Sequence, residues 1–195
     1  MKTRTLISTL IFIFAALIII SGCATTPKTQ EEKESVNHEM FFKSAMRGDY
    51  AEVKRSIEEG ADVNTQDNDG WTALIWASLE GHLEVVQLLI DEKADVNTQN
   101  NNGWTALMYA SLKGHAEVVQ LVIDEKADVN VQSNDGTTAL MWASESGHTE
   151  VVNLLIDAEA DVNVKTSWGA TALMFASDSG QEEVIKLLKE AGAKQ

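Results

Sequence analysis

Three histidines, His82, His115 and His148, stand 33 residues apart, and imidazole is a common ligand for zinc. A zinc ion holds its donors at about 2 Å. Equivalent residues of stacked helices lie roughly 8–10 Å apart, so this row cannot share one ion, and no metal site is expected. Asp67-Asn68-Asp69-Gly70 has the opening of a calcium loop, but Ser78 occupies the position that must supply a bidentate carboxylate. A turn is the better reading. Ser78, Ser111, Ser144 and Ser177 recur at one position with no base assigned to them, and read as small packing residues. No Gly-rich phosphate loop followed by Lys is present, and no carboxylate pair is set apart for acid–base work. The expectation is a non-enzyme without a cofactor. Cys23 is the single cysteine, so no internal disulfide can form.

What surrounds Cys23 gives it a role. Lys2 and Arg4 precede an apolar run from Leu6 to Ile20, and small residues Ser21 and Gly22 follow. That is the order of a secretory signal. The run is shorter than the roughly 20 residues a membrane-spanning helix needs, which makes an uncleaved anchor the weaker alternative; a plain signal with a chance cysteine is another. Ile20-Ser21-Gly22-Cys23 resembles the lipobox of bacterial lipoproteins. The resemblance implies a signal peptide over 1–22, cleaved before Cys23, whose thiol carries a diacylglycerol and whose new amino group is acylated, with palmitate as the expected chain. Several acyl chains anchor stably where one binds marginally. Residue 24 is Ala rather than Asp; by resemblance to Gram-negative sorting, this implies the outer membrane, facing the periplasm. Residues 24–37 are polar and patternless, and 23–37 is expected to be the lipidated Cys and a flexible tether.

The net charge is −15, and becomes −17 once Lys2 and Arg4 leave with the signal. Such a chain repels nucleic acid and anionic lipid head groups. It either favours a basic partner or keeps the protein soluble; net charge alone says little about a site.

The elements that carry the rest are repeated. Copies begin at Trp71, Trp104, Thr137 and Ala170, and a diverged copy lies upstream, so the repeats are about 38–70, 71–103, 104–136, 137–169 and 170–195. Each has a Gly in an Asn/Asp-rich turn (Gly70, Gly103, Gly136, Gly169) and then a Thr placed to cap a helix (Thr72, Thr105, Thr138, Thr171). A short first helix is predicted from about Ala73 to Leu79. Gly81, Gly114, Gly147 and Gly180 are placed to end the first helices in left-handed caps. A second helix follows, about Leu83 to Asp91, with Val85, Val86, Leu89 and Ile90 on one stripe. One unit cannot bury that stripe alone, whereas stacked units can. The end copies should be more polar outside: Lys54, Arg55 and Ser56 in the first copy, and Glu182, Glu183, Lys186, Lys189 and Glu190 in the last, fit this.

This 38–195 pattern resembles the ankyrin repeat. The implied fold is all-α, a solenoid of about five stacked helix-turn-helix units with β-turn/hairpin loops. Departures are visible. Ala73, Ala106, Ala139 and Ala172 replace the family Pro, and Ile75, Met108, Met141 and Met174 replace its His. Lys93, Lys126 and Glu159 replace a Gly at a left-handed corner, at about 1 kcal/mol each, so those corners are expected to be looser or reshaped. Trp76, Tyr109, Trp142 and Phe175 replace a family Leu and are expected in the core. Met108, Met141 and Met174 are divided evenly between core and inner face.

The resemblance implies binding through the turn tips and first helices, which are expected to form a concave face. Candidate partner-binding residues are Trp71, Trp104, Asn68, Asp69, Asn101, Asn102, Leu79, Glu80, Leu112, Lys113, Asp135, Thr137, Glu145 and Trp168. Trp71 and Trp104 either form a stepped aromatic patch or pack over their own turns and stack on a neighbour. The function expected is a monomeric, lipid-anchored module that binds a protein partner in the cell envelope. An accessory or assembly subunit of an envelope enzyme, such as an oxidative-stress enzyme, is the alternative.

Overall fold

Thr Oγ in the sequence becomes a helix cap in space. In the computed structural model, which describes residues 30–194 and their side chains from residue 38, Thr72, Thr105, Thr138 and Thr171 accept from the backbone N–H of Ile75, Met108, Met141 and Met174 at 3.2–3.4 Å. Each cap satisfies one of the donors that a helix start leaves open. The helices are α1 (Gln30–Arg47), α2 (Tyr50–Glu58), α3 (Ala73–Glu80), α4 (Leu83–Asp91), α5 (Ala106–Lys113), α6 (Ala116–Asp124), α7 (Ala139–Ser146), α8 (Thr149–Asp157), α9 (Ala172–Asp178) and α10 (Glu182–Glu190). No strand occurs among the described residues. Met1–Glu34 and Ser35–Gln195 separate as two units. Only the start of α1 belongs to the described part of the first; the remaining statements concern the second.

First helices pack on first helices, α3 on α5, α5 on α7 and α7 on α9, while second helices form their own row from α2 to α10. The shared wall between units is apolar and in register. Leu89, Val122, Leu155 and Leu188 are each fully buried, as are Ala77, Ala110, Ala143 and Ala176. Alanine at that step lets first helices approach closely. Ile75, Met108 and Met141 are each 1% exposed; where the family has a polar residue, this chain has an apolar spine. Met174, in the same register, is 40% exposed.

Left-handed caps close α3, α5 and α7 at Gly81, Gly114 and Gly147. The expectation fails by one residue at α9, whose cap is Ser179, with Gly180 following at φ +69°. The corners at Lys93, Lys126 and Glu159 are not reshaped: they hold φ of +72°, +67° and +64°, with Gly60 and Gly192 at φ +100° and +90° in the same register of the outer copies. Tertiary packing holds side-chain-bearing residues where glycine is preferred. The expected polar ends are borne out except at Ser56, which is buried; it occupies the register of Leu89.

Candidate functional site

The site is built from the hairpin that joins each unit to the next. Asp67 accepts backbone N–H groups of Asp69 and Trp71 on one carboxylate oxygen, each at 2.9 Å. Asn100 does the same for Asn102 and Trp104, at 3.0 and 2.9 Å. The candidate calcium loop is therefore an Asx turn that shapes the hairpin. Gln66 Nε2 donates to Gly70 O in its own hairpin and to Gln99 O in the next; Gln99 and Gln132 repeat the pattern. Neighbouring tips are also tied backbone to backbone, Asn101 N to Asp69 O at 3.0 Å, Asn134 N to Asn102 O at 3.1 Å and Ser167 N to Asp135 O at 2.9 Å. The row of tips is thus a hydrogen-bonded surface rather than a set of independent loops.

On this surface runs a chain of six rings. Trp71 stacks on Trp76 of its own unit, centroids 4.1 Å apart, and lies 4.5 Å from Tyr109 of the next. Trp104 lies 4.8 Å from Tyr109 and 4.7 Å from Trp142. Trp142 meets Phe175 at 5.9 Å, edge on. Trp71 and Trp104 are each a wedge between the first-helix rings of successive units. All six rings are half-buried, so Trp76, Tyr109, Trp142 and Phe175 are not simply core. Of the two arrangements open for Trp71 and Trp104, packing over the turn and onto a neighbour is the one observed. It leaves the ring edges as a continuous apolar strip.

Polar atoms hold the strip. Asn100 Nδ2 donates to the Tyr109 hydroxyl at 3.0 Å, and Trp142 Nε1 donates to Thr137 Oγ1 at 3.2 Å. Burial pushes the Tyr109 phenol above its ordinary pKa, opposed in part by the Asn100 bond. Thr137, expected on the binding surface, is fully buried instead. Its hydroxyl is held within a network with Ser133 and Asp135. At Asp135, burial works against the charged form. Hydrogen bonds from the Ser133 and Thr137 hydroxyls and the Thr137 amide outweigh it and hold the carboxyl below its usual range.

The other candidates lie where the hairpins and helix ends were expected to present them. Asn68, Asp69, Asn101, Asn102, Asp135 and Trp168 are exposed at the tips, Trp168 at 59%. Glu80 and Lys113 are exposed at first-helix ends, with Leu79, Leu112 and Glu145 half-buried beside them. Asn101 has a second task, its Nδ2 donating to Asn68 O at 3.0 Å. Met108 and Met141 belong to the core, whereas Met174 is exposed. Cys23, the expected signal peptide over 1–22 and the tether as far as residue 29 lie outside the described residues; residues 30–37, expected to be flexible tether, instead begin helix α1.

Each of the three histidines reaches into the unit before its own. His82, His115 and His148 contact the carbonyls of Met46, Leu79 and Leu112 through Nε2 at 3.0–3.1 Å. Each thereby ties its helix pair to the first helix of the unit before. This partner, 36 residues upstream, was not legible in the sequence. Asn64, Asn97, Asn130 and Asn163 were missed altogether: their Oδ1 atoms accept the N–H of Asp95, Asp128, Asp161 and Lys194 at 2.7–2.9 Å. Their recurrence every 33 residues was the available signal.

Comparison with known proteins agrees with this geometry. The family profile described as "Ankyrin repeats (3 copies)" matches residues 41–133 and 117–195. The proteins titled "Ankyrin repeat domain-containing protein 40" from Mus musculus and Homo sapiens are each 42% identical over 57 residues. That segment is 29% of this chain and 15% of each relative. No described helix is long and apolar enough to cross a membrane. With the family pattern matched over most of its length and the units stacked in register, the chain belongs to the ankyrin-repeat family.

Proposed function

We propose that this chain is a non-catalytic module, held to a membrane of the cell envelope through lipid on Cys23, that captures a protein partner on its row of hairpin tips and first helices. Ankyrin repeats indicate a protein–protein interaction module. The observation that carries the surface assignment is the ring strip. Six aromatic side chains lie in mutual contact, half-exposed, on a face cross-linked by hydrogen bonds from unit to unit. Aromatic residues are enriched where protein partners bind. A face already ordered loses little conformational entropy on association. The anchor rests on the lipobox-like Ile20-Ser21-Gly22-Cys23, and the outer membrane facing the periplasm is the location this sequence favours.

Two experiments test the two halves. A photo-crosslinking residue replacing Asn102 or Glu80, both exposed on the tip side, captures one discrete protein in the native envelope. The same residue at Gln87 or Gln120, exposed on second helices, does not. Equal capture from both sides contradicts the surface assignment. Cys23→Ser moves the protein from the membrane fraction to the soluble one; retention contradicts the anchor.

A further inference from the structure

The ring strip changes character at one place. Trp71 wedges between Trp76 and Tyr109, and Trp104 between Tyr109 and Trp142. The next position in that register is Thr137, which is fully buried. No wedge ring therefore separates Trp142 from Phe175, and they meet edge on at an interplanar angle of 71°. In the hairpin that leads into the Phe175 helix stands Trp168, the most exposed large apolar residue among those described, at 59%. The hydrogen bond from Ser167 N to Asp135 O brings the Trp168 turn alongside Asp135.

Asp135 is prepared in an unusual way. The Ser133 hydroxyl, the Thr137 hydroxyl and the Thr137 amide all donate to the same oxygen, Oδ1. Oδ2 takes no bond among the described residues, and the residue is exposed. The carboxylate is thus fixed in orientation with one oxygen open. Glu145 and Asp178 follow Trp142 and Phe175 by three residues on their helices, so each shares a face with its ring. Among the described residues the ion pairs join Lys43 to Glu39 and Arg55 to Glu52 and Glu59, and none involves these three acids.

Resting on the protein-binding function proposed above, we infer that this end of the strip holds an arginine side chain from an extended segment of the protein partner. A guanidinium is planar and weakly hydrated, stacks on aromatic faces and forks onto carboxylates. Trp168 offers the ring and Asp135 Oδ2 the fixed acceptor, while Glu145 and Asp178 add negative potential. Lysine, a strongly hydrated point charge, fits the ring less well. A neutral apolar side chain makes no use of the carboxylates, and an acidic one is repelled.

The test uses the full chain in detergent micelles and four short synthetic peptides, identical except for Arg, Lys, Leu or Glu at the variable positions. Tryptophan fluorescence and equilibrium binding are read at low and high salt. The arginine peptide binds best, and its binding weakens as salt rises, because the charges are exposed. Trp168→Ala and Asp135→Asn each weaken it about tenfold, with helical circular dichroism unchanged. Failure of the wild-type chain to bind the arginine peptide, equal binding of the leucine or glutamate peptide, or unchanged arginine binding in both variants overturns the inference. Crosslinking in the envelope keeps the two readings apart. If capture from Asn102 persists undiminished in the Trp168→Ala, Asp135→Asn double variant, the arginine site falls while the protein-binding face stands. If no tip-side capture occurs in the wild type, the face itself falls.

Discussion

Ser78, Ser111 and Ser144 are fully buried, and their hydroxyls have no hydrogen-bond partner among the described residues. Ser177, exposed in the same register, donates back to Leu173 O at 2.6 Å. An unsatisfied buried hydroxyl is unfavourable, so Ser111→Ala should stabilise the chain by roughly 1 kcal/mol. A urea midpoint that rises at constant slope checks this; a fall shows that the hydroxyl has a partner in solution. Lys126→Gly relieves a φ of +67° and should add about 1 kcal/mol on the same assay. Two titrations add pH dependence. The Asp135 carboxyl lies below its usual range in the folded chain, so its contribution is present above the ordinary aspartate pKa of about 4 and is lost as acid protonates it. Asp135→Asn should flatten that acid limb. The Tyr109 phenol lies above 10.0 when folded, so its contribution is complete below the unfolded value and declines as pH rises past it. Tyr109→Phe should remove this alkaline loss.

At the scale of elements, the joint between successive helix pairs is a histidine pressed on a glycine. A Cβ added to Gly114 would lie 2.6 Å from the His148 ring, on a backbone at φ +76°. Gly114→Ala should therefore cost more than the roughly 1 kcal/mol of left-handed strain alone. The last pair makes the same joint with Gln181, whose Nε2 donates to Glu145 O at 3.1 Å. His115→Gln should then unfold within a few tenths of a kcal/mol of wild type, whereas His115→Ala loses about 1 kcal/mol; thermal melts of the two separate them. The Thr caps, the helix-ending glycines through Gly147 and the second-helix stripe were legible in the sequence, because each is local or periodic. The Thr137 burial and the ring wedges were not. They arise from contacts between units, and a substitution such as Trp104 announces a large ring without saying which neighbour receives it. The corners at Lys93, Lys126 and Glu159 were expected to yield, and they hold; at Lys93 and Glu159 the Asn64 and Asn130 side chains also donate across to their carbonyls at 3.3 and 3.4 Å.

For the molecule as a whole, the candidate site is a property of the stack. No single unit owns the ring strip, since Trp71 and Trp104 each need the first helix of the following unit to complete their slots. The partner-binding face, the arginine site at its end and the fold therefore share one requirement, that neighbouring units stand or fall together. Leu107 lies in α5, is 2% exposed, and α5 packs against both α3 and α7. Leu107→Ala should cost roughly 2–5 kcal/mol. Site-resolved hydrogen exchange on this variant is the most direct test. Interlocked units predict that amides in α3, α4, α7 and α8 lose protection along with those in α5 and α6. Loss confined to α5 and α6, with their neighbours as protected as in the wild-type chain, would contradict it.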